Sequence, residues 1–347
     1  MPATRPIPAP AIRRRLASLL FAASLLVAAC ATGPGVTPVS IPPDAMASIL
    51  PNDSAPPEAS PTTEPAATFP LTLTDDEGTE LQLNAPPQRI VSLTPANTEI
   101  LFAIGAGDRV IATTDFDDFP AAAVALPDVA SYTAIDIEQI VAMGADLVVA
   151  GGNSFNPPDQ LAKLRSLGIP VLVVYARNVA TVLADIELIG DAVGDGPAAR
   201  ELTALMQAGF DRVVAATEAL PKPRTFYEID TTGGIFGPSD ESFLAEMIDL
   251  AGGDPITTGD PDKFDISLEK LVAADPEVIV LGDAAYGATP AIVKARPGWG
   301  TMTAVKTGAI RPSKDILITR PGPRLVEGLE NLAVAIHPEL ASVLSTP

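Results

Sequence analysis

Polar and apolar positions alternate with period two over residues 71–74 and again over 79–83, on either side of Asp76-Glu77-Gly78. Successive side chains of a strand point to opposite faces, so this pattern predicts a small hairpin. Beyond it the pattern changes. Short apolar runs at 89–93, 110–114, 147–151, 171–175, 224–229, 278–280 and 309–311 are separated by stretches whose apolar residues recur every three or four positions. Runs buried on both faces, alternating with amphipathic helices, predict a mostly parallel sheet covered by helices on both sides. Several helix ends are legible. Thr94-Pro95 supplies an N-cap and a first helical residue for a helix stopped by Gly105. A helix over 157–167 ends at Gly168, Ser239-Asp240-Glu241 caps one running to Leu250, and a last helix spans about 324–336. The stretch from 115 to 127 reads as a loop. Two longer helical patterns, 178–193 and 198–219, occupy the middle, the second with Leu202, Leu205, Met206, Phe210, Val213 and Val214 at helical spacing.

One stretch occurs twice. IEQIVAMGADLVV, 137–149, returns without a gap 131 positions later as LEKLVAADPEVIV, 268–280. Glu138 falls on Glu269, Val141 on Val272, Val149 on Val280, and Asp146 on Glu277. The residue before each copy, Asp136 or Ser267, carries a side-chain oxygen that can accept from an orphan backbone N–H at a helix start. Each copy therefore reads as cap, short helix with Glu in its first turn, tight connection and buried strand. The copies are too far apart for a solenoid repeat. They predict an α/β fold of two Rossmann-like lobes on one plan, over 69–195 and 221–347, joined by one long helix over 196–220.

Composition adds a leader and removes several chemistries. Arg13, Arg14 and Arg15 precede an uncharged run, 16–29, that ends in small residues before Cys30. A basic start and an apolar run too short to span a bilayer make a secretory signal over 1–30. With the chain's single cysteine at the cleavage position, it resembles a bacterial lipoprotein signal, which implies a lipid on Cys30 as the mature N-terminus. Residues 31–68 are rich in Pro, Ser, Thr and Ala and lack apolar periodicity, so a disordered tether is expected there. Fourteen of the 36 prolines lie in residues 1–70, leaving the folded part far less proline-rich. The expected location is extracytoplasmic, held to the membrane by the lipid alone.

The net charge of −21 excludes nucleic acid as a partner, because phosphates demand basic surface, and argues against broad contact with anionic lipid. One Cys and one His, His337, cannot form a disulfide, a Cys/His zinc site or a Cys–His nucleophile pair. No resident metal or cofactor is expected. Asp115, Asp117 and Asp118 open two chemical readings, a carboxylate metal site or an acid/base pair, beside the plainer one of a solvated acidic loop.

At this point a resemblance enters. RIVSLTPANTEILFAIGAGDRVI (89–111), PDVASYTAIDIEQIVAMGADLVVA (127–150), ESFLAEMIDLAGGDPI (241–256), ISLEKLVAADPEVIV (266–280), PGWGTMTAVKTGAI (297–310) and RPGPRLVEGLENLAVAIHPE (320–339) together resemble the solute-binding proteins of ABC importers for ferric siderophores, haem and cobalamin. The stretch 92–99, SLTPANTE, is particularly close to the cobalamin-binding members. The resemblance implies two α/β lobes joined by one rigid helix, with an iron or cobalt chelate held in the cleft between them. It implies a monomer whose partners are a permease and its ATPase. Glu138 and Glu269 match two lobe-surface glutamates that dock on permease arginines. Tyr132 matches a ligand-facing aromatic, Phe116 lies in a loop that does the same, and Arg320 matches a cleft arginine. Tyr175, Phe155 and Phe264 are further aromatic candidates for the cleft, and Arg177 and Lys263 further basic ones. Two departures from the cobalamin binders stand out. Gly151 sits where they place an aromatic, and the chain has one Trp and four Tyr.

The remaining conspicuous residues have plainer readings. Trp299, flanked by glycines, reads as a packing residue, His337 as a surface or capping residue, and Arg324 as an anchor at its helix start or half of a local pair. The competing functions are an extracellular, lipid-anchored hydrolase using a carboxylate pair from 115–118 and a structural surface lipoprotein.

Overall fold

The computed structural model describes residues 67–131, 134–152 and 155–344. The expected leader with Cys30, nearly all of the expected tether, and Tyr132 lie outside them. The chain enters through the hairpin, β1 (Leu71–Thr74) and β2 (Glu80–Leu83), paired antiparallel with Leu71 opposite Leu83. Asp75 closes its turn by accepting the backbone N–H of Glu77 and Thr79 at 3.1 and 2.7 Å, a local bond that suits Asp to turns.

The first lobe runs β3 (Ile90–Ser92), α1 (Pro95–Ala103), β4 (Val110–Thr114), α2 (Ala121–Val124), β5 (Asp128–Ala130), α3 (Ile137–Ala142), β6 (Leu147–Gly151), α4 (Pro158–Ser166) and β7 (Val171–Val174). Its five strands are parallel in the order β5-β4-β3-β6-β7. Two long helices follow, α5 (Val179–Val193) and α6 (Gly196–Thr217). The second lobe contains β8 (Arg224–Glu228), α7 (Phe243–Leu250), β9 (Asp254–Pro255), α8 (Leu268–Ala274), β10 (Val278–Leu281), α9 (Pro290–Ala295), α10 (Thr303–Thr307), β11 (Ile310–Pro312), α11 (Asp315–Thr319), α12 (Leu325–Ile336) and α13 (Ala341–Leu344). Its four strands are parallel in the order β11-β10-β8-β9. Every residue of β6, β7 and β10 is buried, which is why these strands read as unbroken apolar runs rather than alternating ones.

Helix α6 carries the chain between the lobes and shares its packing with both. Ala199, Thr203, Met206, Phe210, Val213 and Thr217 form its buried stripe at steps of three and four. Beside α6 lies α5 of the first lobe, and on it rests α12 of the second. The approach of α12 is close: a Cβ on Gly209 would sit 2.5 Å from Cγ1 of Val326. An Arg212–Glu330 ion pair joins the same two helices. One continuous core runs from Ile90 and Leu147 through Met206 and Phe210 to Tyr227, Val280 and Leu329. The lobes are therefore fused through a common core, which resists hinging.

The duplicated stretch has one structure in both places. Asp136 accepts from the Gln139 N–H at 2.9 Å and Ser267 from the Lys270 N–H at 3.2 Å, so each caps its helix. Both helices end in a left-handed residue, Gly144 at φ 64° and Asp275 at φ 46°. Asp275 offsets its strain by accepting the backbone N–H and hydroxyl of Thr303 at 2.7 and 2.9 Å, and those bonds hold its carboxyl below the usual range. The matched acids then do matched work. Asp146 accepts the backbone N–H of Arg89 at 2.8 Å, and Glu277 accepts that of Arg224 at 3.1 Å. The two arginines donate back to helix-end carbonyls, Arg89 to Met143 at 2.8 Å and Arg224 to Ala274 and Asp275 at 3.0 Å. The repeat is thus a clasp that sets the amino end of each lobe's central strand.

Four expectations need correction. The stretch 115–127 contains α2 and leads into β5, too short to show a period. The cap of α7 is Ser242, not Ser239 to Glu241, because Glu241 takes φ 55° and cannot start the helix. Leu205 and Val214 face solvent on α6 at 67% and 38% exposure, since the buried stripe is narrower than the apolar pattern. His337 ends α12 as a cap residue but is not at the surface: it is buried, with Nε2 donating to the Gly252 carbonyl at 3.0 Å. Trp299 is buried in the second lobe's core, with the Arg296 guanidinium 4.6 Å above its ring.

The left-handed position in the clasp yields a prediction. Space around a Gly144 Cβ is open, the nearest atom being the Arg89 Nε at 3.8 Å, so any penalty is conformational. Gly144→Ala should lower unfolding free energy by about 1–2 kcal/mol, and Gly144→Asn by less. Urea denaturation of the two variants checks this, and equal midpoints for Ala and wild type would contradict it.

Candidate functional site: the cleft between the lobes

In each sheet the central strand is where chain order reverses. β3 lies between β4 and β6, and β8 between β9 and β10. Open α/β sheets form a crevice outside the carboxyl ends of the strands at such a point. A cavity of about 870 Å³ lies there, between the two lobes. The first lobe contributes Leu93, Thr94, Asn97, Phe116, Gly151, Phe155 and Tyr175, and the second Phe243, Tyr286, Ser313, Asp315 and Arg320. It is of the size that encloses small-molecule ligands, with apolar side chains interleaved among polar and charged ones.

Thr94 is placed by capping α1: its hydroxyl accepts the Asn97 N–H at 3.3 Å, and Pro95 fits the first helical position. Within α1 the buried Glu99 faces across the cleft. Its carboxylate receives Arg320 Nη1 at 2.7 Å, and Arg324 through Nε at 2.8 Å and Nη2 at 2.6 Å. Arg320 also donates to Asp118 at 2.6 Å, and the Arg324 guanidinium lies 4.3 Å over the Phe119 ring. Hydrogen bonding to Glu99 raises the Arg324 pKa. Four charges from two lobes are thus paired in one network, with two acids answering two bases.

A second acidic feature lies on the wall formed by α5. Asp185 is buried on the same stripe as Val182, Ile186 and Ile189 and lines the cavity. Burial, reinforced by the negative charge of Asp76 and a hydrogen bond with it, pushes its carboxyl up to about 8. Asp76 in turn accepts the backbone N–H of Tyr175, so the hairpin turn braces that aromatic. In its protonated form Asp185 adds no charge to the cleft wall and shares its proton with Asp76.

In the second lobe the strand ends are braced by a buried ion pair and a hydrogen bond. Arg296 grips the fully buried Glu228 with both Nη atoms, and the Tyr227 hydroxyl donates to Asp315 at 2.7 Å. Asp283 beside them is raised to about 6, by burial first and then by the charge of Glu228.

Of the expected cleft residues, Phe116, Phe155, Tyr175 and Arg320 line the cavity. Arg320 does so with its guanidinium already paired. Phe264 is not among the lining residues: it is 51% exposed on a loop of the second lobe, its carbonyl accepting the Gly237 N–H at 2.8 Å. Lys263 is paired with Asp260, and Arg177 lies 5.8 Å over the Tyr175 ring. Arg324 pairs with Glu99 across 225 positions, not locally. The acidic loop is not a free carboxylate pair. Asp117 is buried and accepts the backbone N–H and hydroxyl of Thr114 at 2.8 and 2.7 Å, while Asp118 holds Arg320. Among the described residues no group of three or more His, Cys, Asp or Glu is placed to hold a metal ion, and no helix is long and apolar enough to cross a membrane. Glu138 and Glu269 are both exposed at the second position of their helices. Each helix runs back along its sheet before the next strand, so both glutamates lie on the side of the sheets' carboxyl ends, where the cleft is.

Glu99, Asp185 and Tyr286 were not anticipated. A signal existed for two of them. Glu99 is a lone charge among Ile100, Leu101 and Phe102, and Asp185 occupies the apolar phase of its helix. A charged residue at a core phase announces a buried pair or a shifted pKa.

With the geometry established, known proteins can be compared. The model of the periplasmic binding protein family matches residues 90–315. An uncharacterised ABC transporter substrate-binding lipoprotein of Bacillus subtilis is 30% identical over 276 residues, covering 78% of this chain and 87% of the relative. A cobalamin-binding protein of Halobacterium salinarum is 29% identical over 295 residues, covering 78% of this chain and 75% of the relative. Among solved structures, a periplasmic vitamin B12 binding protein of Vibrio cholerae superposes with a TM-score of 0.64 at 24% identity, over 74% of this chain and 99% of its own. A periplasmic haem-binding protein of Roseiflexus gives a TM-score of 0.64 at 24% identity, over 72% and 98%. At these identities the structures establish the two-lobed fold, and the relatives are binding components of transporters rather than enzymes.

The Asp185 carboxyl makes stability depend on pH in a definite direction. Between about pH 4 and 8 the folded chain holds a proton there that the unfolded chain has released, so stability falls as pH rises through that window. Each unit within it contributes at most about 1.4 kcal/mol. Asp185→Asn removes the titration, so its melting temperature should gain on wild type steadily from pH 5 to 8. A difference that stays constant with pH would show that the carboxyl ionises normally.

Proposed function

The chain belongs to the periplasmic binding protein family, and we propose that it is the lipid-anchored receptor of an ABC importer, capturing a metal chelate in the interlobe cleft and docking on the permease. The observation that carries this reading is the cavity of about 870 Å³ at both switch points at once, walled by aromatic side chains from two lobes. It is supported by relatives whose names specify cobalamin and by fold neighbours named for vitamin B12 and haem. The carboxylates that a hydrolase would use are engaged in capping Thr114 and in pairing with Arg320.

The charge of the cleft narrows the ligand. Arg320 and Arg324 are neutralised by Glu99 and Asp118, and Asp185 is uncharged at neutral pH. A polyanionic ferric chelate would have to compete for arginines already engaged, and the remaining lining cation, Lys314, lies 3.7 Å from Glu327 on the same wall. A corrinoid, whose rim carries amides, meets hydrogen-bonding and apolar surface without that competition. Titration of the purified full-length protein against cyanocobalamin, dicyanocobinamide, haemin and a ferric tris-catecholate should give tightest binding to a corrinoid. Absence of binding to every chelate would sink the reading, and tightest binding to the tris-catecholate would sink the corrinoid assignment.

Docking rests on Glu138 and Glu269, equivalent, exposed and on the cleft side of a two-lobed body whose core is continuous. A fixed separation allows a permease with two basic patches to read both at once, and such rim charges set encounter rate and register more than affinity. Glu138→Arg combined with Glu269→Arg should abolish transport in cells while leaving ligand affinity and melting temperature unchanged. Normal transport by the double variant would refute the docking role, and unfolding would reduce both residues to helix-start stabilisers.

A further inference from the structure

The first sheet ends at β7, which has β6 on one side and no strand on the other. An edge strand presents a row of unpaired N–H and C=O groups. Here the turn of the β1–β2 hairpin takes them. The Val173 carbonyl accepts the backbone N–H of Asp76 at 3.1 Å, and the Val173 N–H donates to the Asp75 carboxylate at 3.3 Å. The Tyr175 N–H donates to the Asp76 carboxylate. Two consecutive aspartates thus do the work of a further strand at the carboxyl end of β7, where Val174 and Tyr175 reach the cavity.

The two aspartates are not equivalent. Asp75 is buried, pairs with Arg165 of α4 at 3.2 Å and closes its own turn. Asp76 is exposed and reaches a second group, the carboxyl of Asp185 on α5. Asp185 is buried and lines the cavity, so Asp76 joins a strand end and a helix that form one wall. Leu81 and Leu83, buried in the common core, fix the hairpin that carries it.

Other charges stand on the elements packed around α5. Glu99 of α1 holds Arg320 and Arg324, and Glu246 of α7 accepts the Val179 N–H at 2.8 Å. Arg200 of α6 pairs with Asp191 at 3.1 Å, and Arg177, just before α5, lies 5.8 Å over the Tyr175 ring. Of these charged groups, Asp76 is the one that acts on the Asp185 carboxyl.

We propose that Asp76 is a positioning residue of the cleft, holding the end of β7 and the Asp185 carboxyl in one wall, and that ligand capture is thereby coupled to protonation of that wall. This rests on the corrinoid-receptor reading above. The sign follows from burial. A bound ligand takes Asp185 further from water and disfavours its charged form, so the complex keeps the proton to higher pH than the free protein. In the free protein that carboxyl is pushed up to about 8. Affinity is therefore level below that pH and falls above it, by at most about tenfold per pH unit for one proton. Ionisation also sets two negative charges against each other and loosens the hold on Tyr175.

The test is calorimetric titration of the full-length protein with cyanocobalamin, whose own charge is constant over the range, in steps from about pH 6 to 9.5. Wild-type affinity should hold to about pH 8 and then decline. Asp185→Asn should abolish the decline. Asp76→Asn keeps an acceptor for the Tyr175 N–H but removes the charge that raises Asp185, so it should match wild type at the acid end and begin its decline at lower pH. Asp76→Ala should bind roughly three- to tenfold more weakly even at the acid end, through the lost hydrogen bond. Melting temperatures of both Asp76 variants should stay near wild type, because the residue is exposed. Wild-type affinity that ignores pH would overturn the coupling, as would a decline that survives Asp185→Asn. Undiminished binding by Asp76→Ala would overturn the positioning role. Should Asp76→Ala unfold, Asp76→Asn still decides, since an undisplaced decline there contradicts the proposal. A wild-type protein that binds no cyanocobalamin at any pH would overturn the corrinoid reading and this proposal with it.

Discussion

The cleft depends on one buried carboxylate. Glu99 is 2% exposed at its side chain, and a charge so placed is tolerated only with partners of good geometry. Its partners come from the other lobe, Arg324 through a two-point fork and Arg320 through a third bond shared with Asp118. Fork geometry allows little latitude in distance or angle. Removing one member of such a network leaves a buried charge exposed to its desolvation penalty, about 3–5 kcal/mol in comparable pairs. The network therefore holds the spacing of the lobes at the cleft, complementing the common core around α6 on the far side.

The same network sets the charge of the cleft. Paired arginines contribute shape and hydrogen-bonding edges but little net positive potential. The protonated Asp185 carboxyl on the wall formed by α5 adds no charge of its own. In this arrangement paired charges supply rigidity at the cleft.

The duplication explains how two lobes came to meet so evenly. Each copy sets its central strand with an Arg clasp, turns its helix with a left-handed residue, and places one exposed Glu on the cleft side. The cleft mouth and the two glutamates consequently share one side of the molecule. The clasps also show substitution within a fixed physical role. Gly144 adopts its φ freely, whereas Asp275 needs the two bonds from Thr303 to do the same.

Most of the architecture was legible along the chain because it is set by local rules. Period-two alternation marked the hairpin, apolar runs marked the buried strands, and Thr94-Pro95, Asp136 and Ser267 marked helix starts through bonds spanning only three residues. The repeat announces two lobes, since identical local rules applied twice build the same unit. Where local signals were weak, the reading slipped: the three-residue β5 has no measurable period, and the start of α7 was decided by the single φ of Glu241. The site was legible only in part. Phe116, Tyr175 and Arg320 could be named, yet the partner of Arg320 could not, and Arg324 reads only as a helix-start anchor or half of a local pair. Their partner Glu99 stands 221 and 225 positions away, and no periodicity links residues at that distance. The sequence by itself determined the elements, their order and the doubling. Only the tertiary structure decided which charges cancel, which aromatics stay exposed and how wide the cleft stands, because those depend on groups that meet through space after both lobes have closed on α6.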